Sequence, residues 1–201
     1  KTDFTEFTPL DARGLERWVV SEVSERGGTI QGPDARMLIE RVGGDQQFLS
    51  NELNKLLAYD AAITSQTIAL LCDPVPQSTI FMMIESLFNG QLKQALTLYE
   101  DQRRQRVEPQ AMMGMIAWQM HLVALAKAAG SKPAQDVARE AGVAPFALQK
   151  SQGLARRLSM AEIRQLFDYL TNADLRTKTE SVDADRLMQA VLTKIAQTVA
   201  R

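Results

Sequence analysis

The sequence predicts an all-α protein, a small helical bundle followed by a larger one. Apolar residues recur at helical spacing from Asp11 to the end of the chain, with capping residues where the stripes begin. No segment alternates convincingly as a strand. The third observation is a break at Asp73-Pro74-Val75-Pro76-Gln77. Each proline lacks a backbone donor and restricts the residue before it, so a helix does not run through.

Asp11 caps a first helix with the stripe Leu15, Trp18, Val19 and Val23, and Gly27-Gly28 stops it. Pro33 suits the first turn of a second helix, with Ala35, Leu38, Ile39 and Val42 on one face and Gly43 closing it. Asp45 caps a third, faced by Leu49, Leu53, Leu56 and Leu57. A short fourth follows Thr64 with Ile68, Leu71 and Cys72. After the break, Ile80, Phe81, Ile84, Leu87 and Phe88 mark a helix ended by Asn89-Gly90. Leu92, Ala95, Leu96 and Tyr99 mark the next, which finishes in Arg103-Arg104-Gln105-Arg106. Pro109 opens the longest apolar segment, whose Met112, Met113, Met115, Ile116, Trp118, Met120, Leu122, Val123 and Leu125 surround the helix and predict a central position. Two short helices flank Gly142. Two long ones follow, with stripes Ile163, Leu166, Phe167, Leu170 and Leu187, Met188, Val191, Leu192, Ile195. The expectation is about eleven helices.

At 201 residues, with 45% hydrophobic and 23% charged residues, the chain has the material for real cores. The net charge of −1 gives no global pull on nucleic acid. It is unevenly spread, however: residues 1–75 carry 7 basic against 12 acidic groups, and residues 76–201 carry 16 against 12. The single cysteine, Cys72, excludes an intramolecular disulfide and reads as a buried, inert thiol. No apolar run of about 18 residues and no signal segment occurs, so the expected location is cytoplasmic, without a membrane partner. The polar opening through Thr8-Pro9 reads as the tail of a preceding element.

Catalytic patterns fail. His121 is the only histidine and has neither metal partners nor a nucleophile, so it reads as a helix-surface or interface residue. Asp183-Ala184-Asp185 stands just before the last helix and reads as a cap rather than a metal motif. No phosphate-loop pattern is present, so no cofactor is expected. Two features invite a partner. Residues Asp136 to Leu148 have helix-turn-helix spacing, though Phe146 and Leu148 of the second helix call for burial rather than base contact. The cations Arg103, Arg104, Arg106, Arg156, Arg157 and Lys178 are candidate partner or DNA contacts; as helix-end residues, the arginines also complement helix dipoles. A DNA-binding regulator and a non-replicative helical scaffold both stand as readings of these residues.

The stretch Gly43 to Leu56 fits the pattern G-x-D-x-x-x-L-x-x-E-L-x-K-L through Asp45, Glu52, Leu53, Lys55 and Leu56. It resembles the lid signature of the delta subunit family of the bacterial DNA polymerase III clamp loader. Phe81 to Gly90 with Ala95-Leu96 resembles that family's "F-x-x-x-D-A-x-x-x-G…A-L", with Glu85 and Ser86 in place of aspartate and alanine. Glu108-Pro109 with Ile116 and Gln119 is similar to "E-P…L-x-x-Q". Residues Ala138 to Phe146 are similar to "A-x-x-L-G-I-x-P-(Y/F)", and Asp174 to Lys178 to "D-x-x-x-K". The resemblance implies a trailing edge of an N-terminal AAA+ domain at 1–10, a helical lid at 11–73 and a collar at 74–201. It implies tau/gamma and delta-prime subunits as partners, with the sliding clamp reached through the N-terminal domain. Primer–template DNA would lie in the assembled loader, near the nucleoid. It further implies that neighbouring subunits handle ATP. The fragment would then be no enzyme itself, and would belong to a DNA-directed DNA polymerase holoenzyme, a nucleotidyltransferase, by association only. The loop Thr179–Asp185 lacks an aromatic ring to stack on a base.

Overall fold

Side-chain caps fix the start of five of the described helices, and a first-turn proline opens several others. The structure is a computed structural model that describes residues 9–200, apart from the side chain of Gln77; residues 1–8 of the expected trailing edge lie outside the described residues. Among these residues there are eleven α-helices, matching the all-α expectation. Asp11 accepts from Gly14 N at 2.7 Å to start α1 (Ala12–Glu25). α2 spans Gly32–Val42 with Pro33 in its first turn. Asp45 accepts from Phe48 N at 2.8 Å and starts α3 (Gln46–Tyr59), and reciprocal Thr64 and Thr67 bonds start α4 (Ser65–Leu71).

One feature is absent from the sequence reading. β1 (Thr29–Ile30) and β2 (Ala62–Ile63) form a parallel pair, with Thr29 opposite Ala62 and Ile30 opposite Ile63. Two residues are too few to display alternation, so pattern reading passes over them. The pair depends on the turn after α1. Gly27 takes φ +79°, and Gly27 N and Gly28 N bond back to Ser24 O and Val23 O at 3.0 and 2.9 Å, a Schellman ending. Thr29 N then reaches Ala61 O at 2.8 Å.

Contacts divide the described chain into two units. The first holds the chain up to Asp73 together with Ser131–Lys150; the second holds Pro74–Gly130 and Ser151 onward. The boundary at Asp73 coincides with the proline break. The assignment of 131–150 differs from the sequence division at 73/74. Its cause is physical: Phe146 packs against the first core, and Gln149 Oε1 accepts from Ala12 N at 3.0 Å. That core is built from Leu15, Val19, Val23, Leu38, Leu49, Leu53, Leu56 and Ile68, all buried, with Cys72 beside them. The first unit also contains α8 (Ala134–Ala141) and the start of α9 (Pro145–Ala155), joined through Gly142 in the left-handed conformation.

The second unit is built on α5 (Pro76–Phe88), α6 (Leu92–Arg104), α7 (Pro109–Ala129), α10 (Met160–Thr179) and α11 (Ala184–Val199). α7 packs on α5, α10 and α11, and α11 packs also on α5 and α6. Ile80, Ile84, Leu87, Met112, Ile116, Met120, Val123, Leu166 and Leu192 fill its interior. Ser159 and Glu162 exchange bonds in a capping box at the start of α10. Asp183 caps α11 by accepting from Asp185 N at 2.9 Å and Arg186 N at 3.2 Å.

The end of α6 is strained. Arg106 has φ +64°, the one positive φ at a non-glycine among the described residues, and stands where a Schellman ending prefers glycine. Val107 N bonds to Gln102 O at 3.0 Å and Arg106 N to Arg103 O at 2.9 Å. Arg106→Gly should therefore stabilise the chain by about 1 kcal/mol. Urea midpoints of the two proteins check this, and a lower midpoint in the variant would contradict the assigned turn.

Candidate functional site

α7 is central by its contacts, yet one side of it is open. Around a helix of 100° per residue, Ala111, Gly114, Met115, Trp118, His121, Leu125 and Ala128 fall on one face. Met115 and Leu125 are half-buried and the others exposed; Trp118 is 51% exposed. The only charged residue of α7, Lys127, lies off this face. Trp118 and His121 have ring centroids 5.5 Å apart, and a Cβ built on Gly114 would meet nothing within 4 Å. The expected central position thus holds through one buried face, while the other face is open and uncharged. His121 is a surface histidine, as its position suggested.

The candidate cations separate into committed and free groups. Arg103 donates from Nε to Asp185 Oδ1 at 2.8 Å and from a terminal nitrogen to Val107 O at 3.0 Å. The Tyr99 hydroxyl donates to the same Asp185 oxygen. Tyr99 first, then Arg103, hold the Asp185 carboxyl below its usual range, and Asp185 raises Arg103 in return. Burial, then Asp185, pushes the Tyr99 phenol up. Arg104 pairs with Asp101 at 2.8 Å. Arg157 donates to Phe88 O and to Asn89 Oδ1 at the end of α5, its guanidinium 5.3 Å from the Phe88 ring centroid. Lys178 pairs with Asp174 at 2.6 Å across one turn of α10. Arg106 and Arg156 are exposed and make no side-chain hydrogen bond or ion pair among the described residues.

The Arg103 tie gives a pH prediction. A carboxyl whose folded pKa is depressed adds stability above its unfolded value, near 3.9, and loses it as pH falls through the folded value. Asp185→Asn should lower the urea midpoint at pH 7, and the gap from the parent should shrink in the acid range below pH 4. A gap unchanged between pH 7 and pH 2.5 would count against the tie.

The Asp45–Leu56 motif builds structure. Asp45 caps α3, Leu53 and Leu56 are fully buried, and Lys55 Nζ lies 2.6 Å from Glu52 Oε2. That oxygen is shielded from solvent, and the approach lies outside hydrogen-bond directionality, so charge pairing is what holds it. Contact with Glu52 holds the Lys55 ammonium above its ordinary range. Burial and the same carboxylate push the Cys72 thiol up to about 12, which leaves it unreactive. Arg41 donates to Cys72 O and also to Ala69 O at 3.5 Å, covering the negative end of α4. Sequence reasoning missed Arg41; its only signal was a cation in the last turn of α2. It also gave no role to Gln119, whose Nε2 donates to the buried Ser151 hydroxyl at 2.9 Å.

The helix-turn-helix spacing is real in α8 and α9, but the second helix is spent on packing. Leu148 is buried, Phe146 covers the first core, Gln149 binds Ala12, and Ser151 is buried. Few side chains remain to read base edges. Among the described residues no helix is long and apolar enough to cross a membrane.

These features define an all-α protein that presents an uncharged helix face. The family described as "DNA polymerase III delta subunit, C-terminal domain" matches residues 77–195, and the chain belongs to it. The DNA polymerase III subunit delta of Bacillus subtilis strain 168 is 24% identical over 191 residues, 92% of this chain and 55% of its own. The solved Bacillus subtilis DNA clamp loader delta protein (YqeN) superposes with a TM-score of 0.88 at 25% identity, covering 98% of this chain and 58% of that one. The chain therefore spans little more than half the length of the relatives it matches.

Proposed function

We propose that this chain is the lid and collar portion of a clamp-loader delta subunit, and that its task is to hold the subunit in the loader ring. Residues 1–10 would end the preceding AAA+ domain, 11–73 form the lid, and 74–201 form the collar. Family membership and the likeness over nearly the whole chain support the reading. The observation that carries it is the open face of α7. A half-exposed tryptophan amid alanine, glycine and methionine, on a face that carries no charge along about 27 Å, suits burial against another helix. Gly114 strengthens the case. Glycine in a helix interior costs roughly 0.5–1 kcal/mol relative to alanine, and among the described residues no neighbour lies close enough to require it there. Close approach of a partner backbone supplies a reason.

On this reading the tau/gamma and delta-prime subunits cover α7 and its neighbours. The sliding clamp is reached through the N-terminal domain, primer–template DNA lies in the assembled ring, and the site of action is the cytoplasm at the nucleoid. Chemistry belongs to neighbouring subunits that bind and hydrolyse ATP; this portion is a non-catalytic bracket. Mixing the chain with purified tau/gamma and delta-prime subunits and following mass by light scattering tests it. A stoichiometric complex is expected, and a chain that stays monomeric at micromolar concentration would refute the proposal.

A further inference from the structure

A cleft of about 220 Å³ opens between the end of α7 and the second half of α9, lined by Ala126, Lys127, Gly130, Gln152, Ala155 and Arg156. Two cations and an amide from sequence-distant helices meet there. Neither α7 nor α9 carries a single aspartate or glutamate, and no carboxylate lines the cleft. Lys127 and Arg156 make no side-chain hydrogen bond or ion pair among the described residues. Both sit near helix C-termini, where a cation complements the dipole. That role does not require the two to face a shared concavity with an amide between them. Gly153, one turn before Arg156, adds a second observation: a Cβ there would meet nothing within 4 Å, so the rim of α9 is left low without need from the fold.

We propose that this cleft binds a phosphate group of a nucleic-acid strand, with the Arg156 guanidinium and Lys127 ammonium as charged donors and the Gln152 amide as a neutral one. The guanidinium presents a planar fork that matches two phosphate oxygens, and lysine adds a point charge. No base-reading group is implied, so binding should be indifferent to sequence. The proposal rests on the clamp-loader reading for its source of nucleic acid, but its test is separate.

The test titrates the isotopically labelled chain with inorganic phosphate, a single-stranded oligodeoxynucleotide, a duplex and an acidic peptide, following backbone amide shifts. Shifts should localise to residues 126–130 and 152–156, strongest with the oligonucleotides. In anisotropy titrations of the single strand, Lys127→Ala with Arg156→Ala should weaken binding at least about fivefold and flatten the salt slope by roughly 0.7, the share of one neutralised phosphate on a single strand. Arg104→Ala, whose guanidinium already pairs with Asp101, should leave both unchanged. Preference for the acidic peptide, response to free phosphate alone, or equal losses from Arg104→Ala would overturn the proposal. Light scattering with the partner subunits separates the two ideas. If the double variant assembles normally yet binds oligonucleotide as the parent does, the cleft is wrong and the ring role stands.

Discussion

Trp118→Ala is expected to weaken the proposed association with tau/gamma and delta-prime subunits by roughly 30- to 150-fold while leaving the isolated chain folded. The reasoning is one of area. A tryptophan buries 150–250 Å² when fully covered, and about half of this one remains open. Covering that remainder at about 25 cal/mol per Å², plus the partner surface it shields, contributes roughly 2–3 kcal/mol. The buried face of α7 rests on Met112, Ile116, Met120 and Val123 rather than on the indole, so the urea midpoint should move little. Titration by light scattering, with a denaturation control, gives both numbers. Unchanged affinity would remove Trp118 from the interface. A collapsed midpoint would mean the indole is structural.

Gly28→Ala should destabilise the first unit by about 1–3 kcal/mol. A Cβ at this position would stand 2.3 Å from Leu57 Cδ2, 2.8 Å from Ala61 O and 3.2 Å from Val23 Cγ1. The leucine end can turn aside. The carbonyl cannot, because it accepts from Thr29 N and so belongs to the link between the strands. The substitution therefore pushes α3 from α1 or breaks that link. Urea unfolding monitored by circular dichroism reads the loss. A variant as stable as the parent would show that the Schellman turn and the paired strands are not coupled.

How far the sequence disclosed this structure depends on the range of each interaction. Caps act within three residues, so Asp11, Asp45, Thr64 and Asp183 were readable, as were the stripes of α3, α5 and α10. The uncovered side of α7 was not readable. Its apolar residues surround the axis, and periodicity cannot say which arc a partner will cover. The arginines were invisible as internal ties for a different reason. Arg103 meets Asp185, and Arg157 meets Phe88 and Asn89, across 82, 69 and 68 residues of chain. Nothing in a linear charge cluster separates such a tie from a free cation like Arg156. The Glu52 and Lys55 pair was readable as a motif; its proximity to Cys72 was not.

The return of residues 131–150 to the first unit has a practical corollary for anyone dissecting this chain. A truncation after Asp73 would sever the chain before it from the Phe146 ring and the Gln149 amide, leaving an apolar scar where they sat. A single protease nick among the prolines would not release two independent pieces, because neither unit is one uninterrupted length of polypeptide. The backbone passes between the units three times, after residues 73, 130 and 150, so a pulling force applied to either is carried into the other along the chain itself.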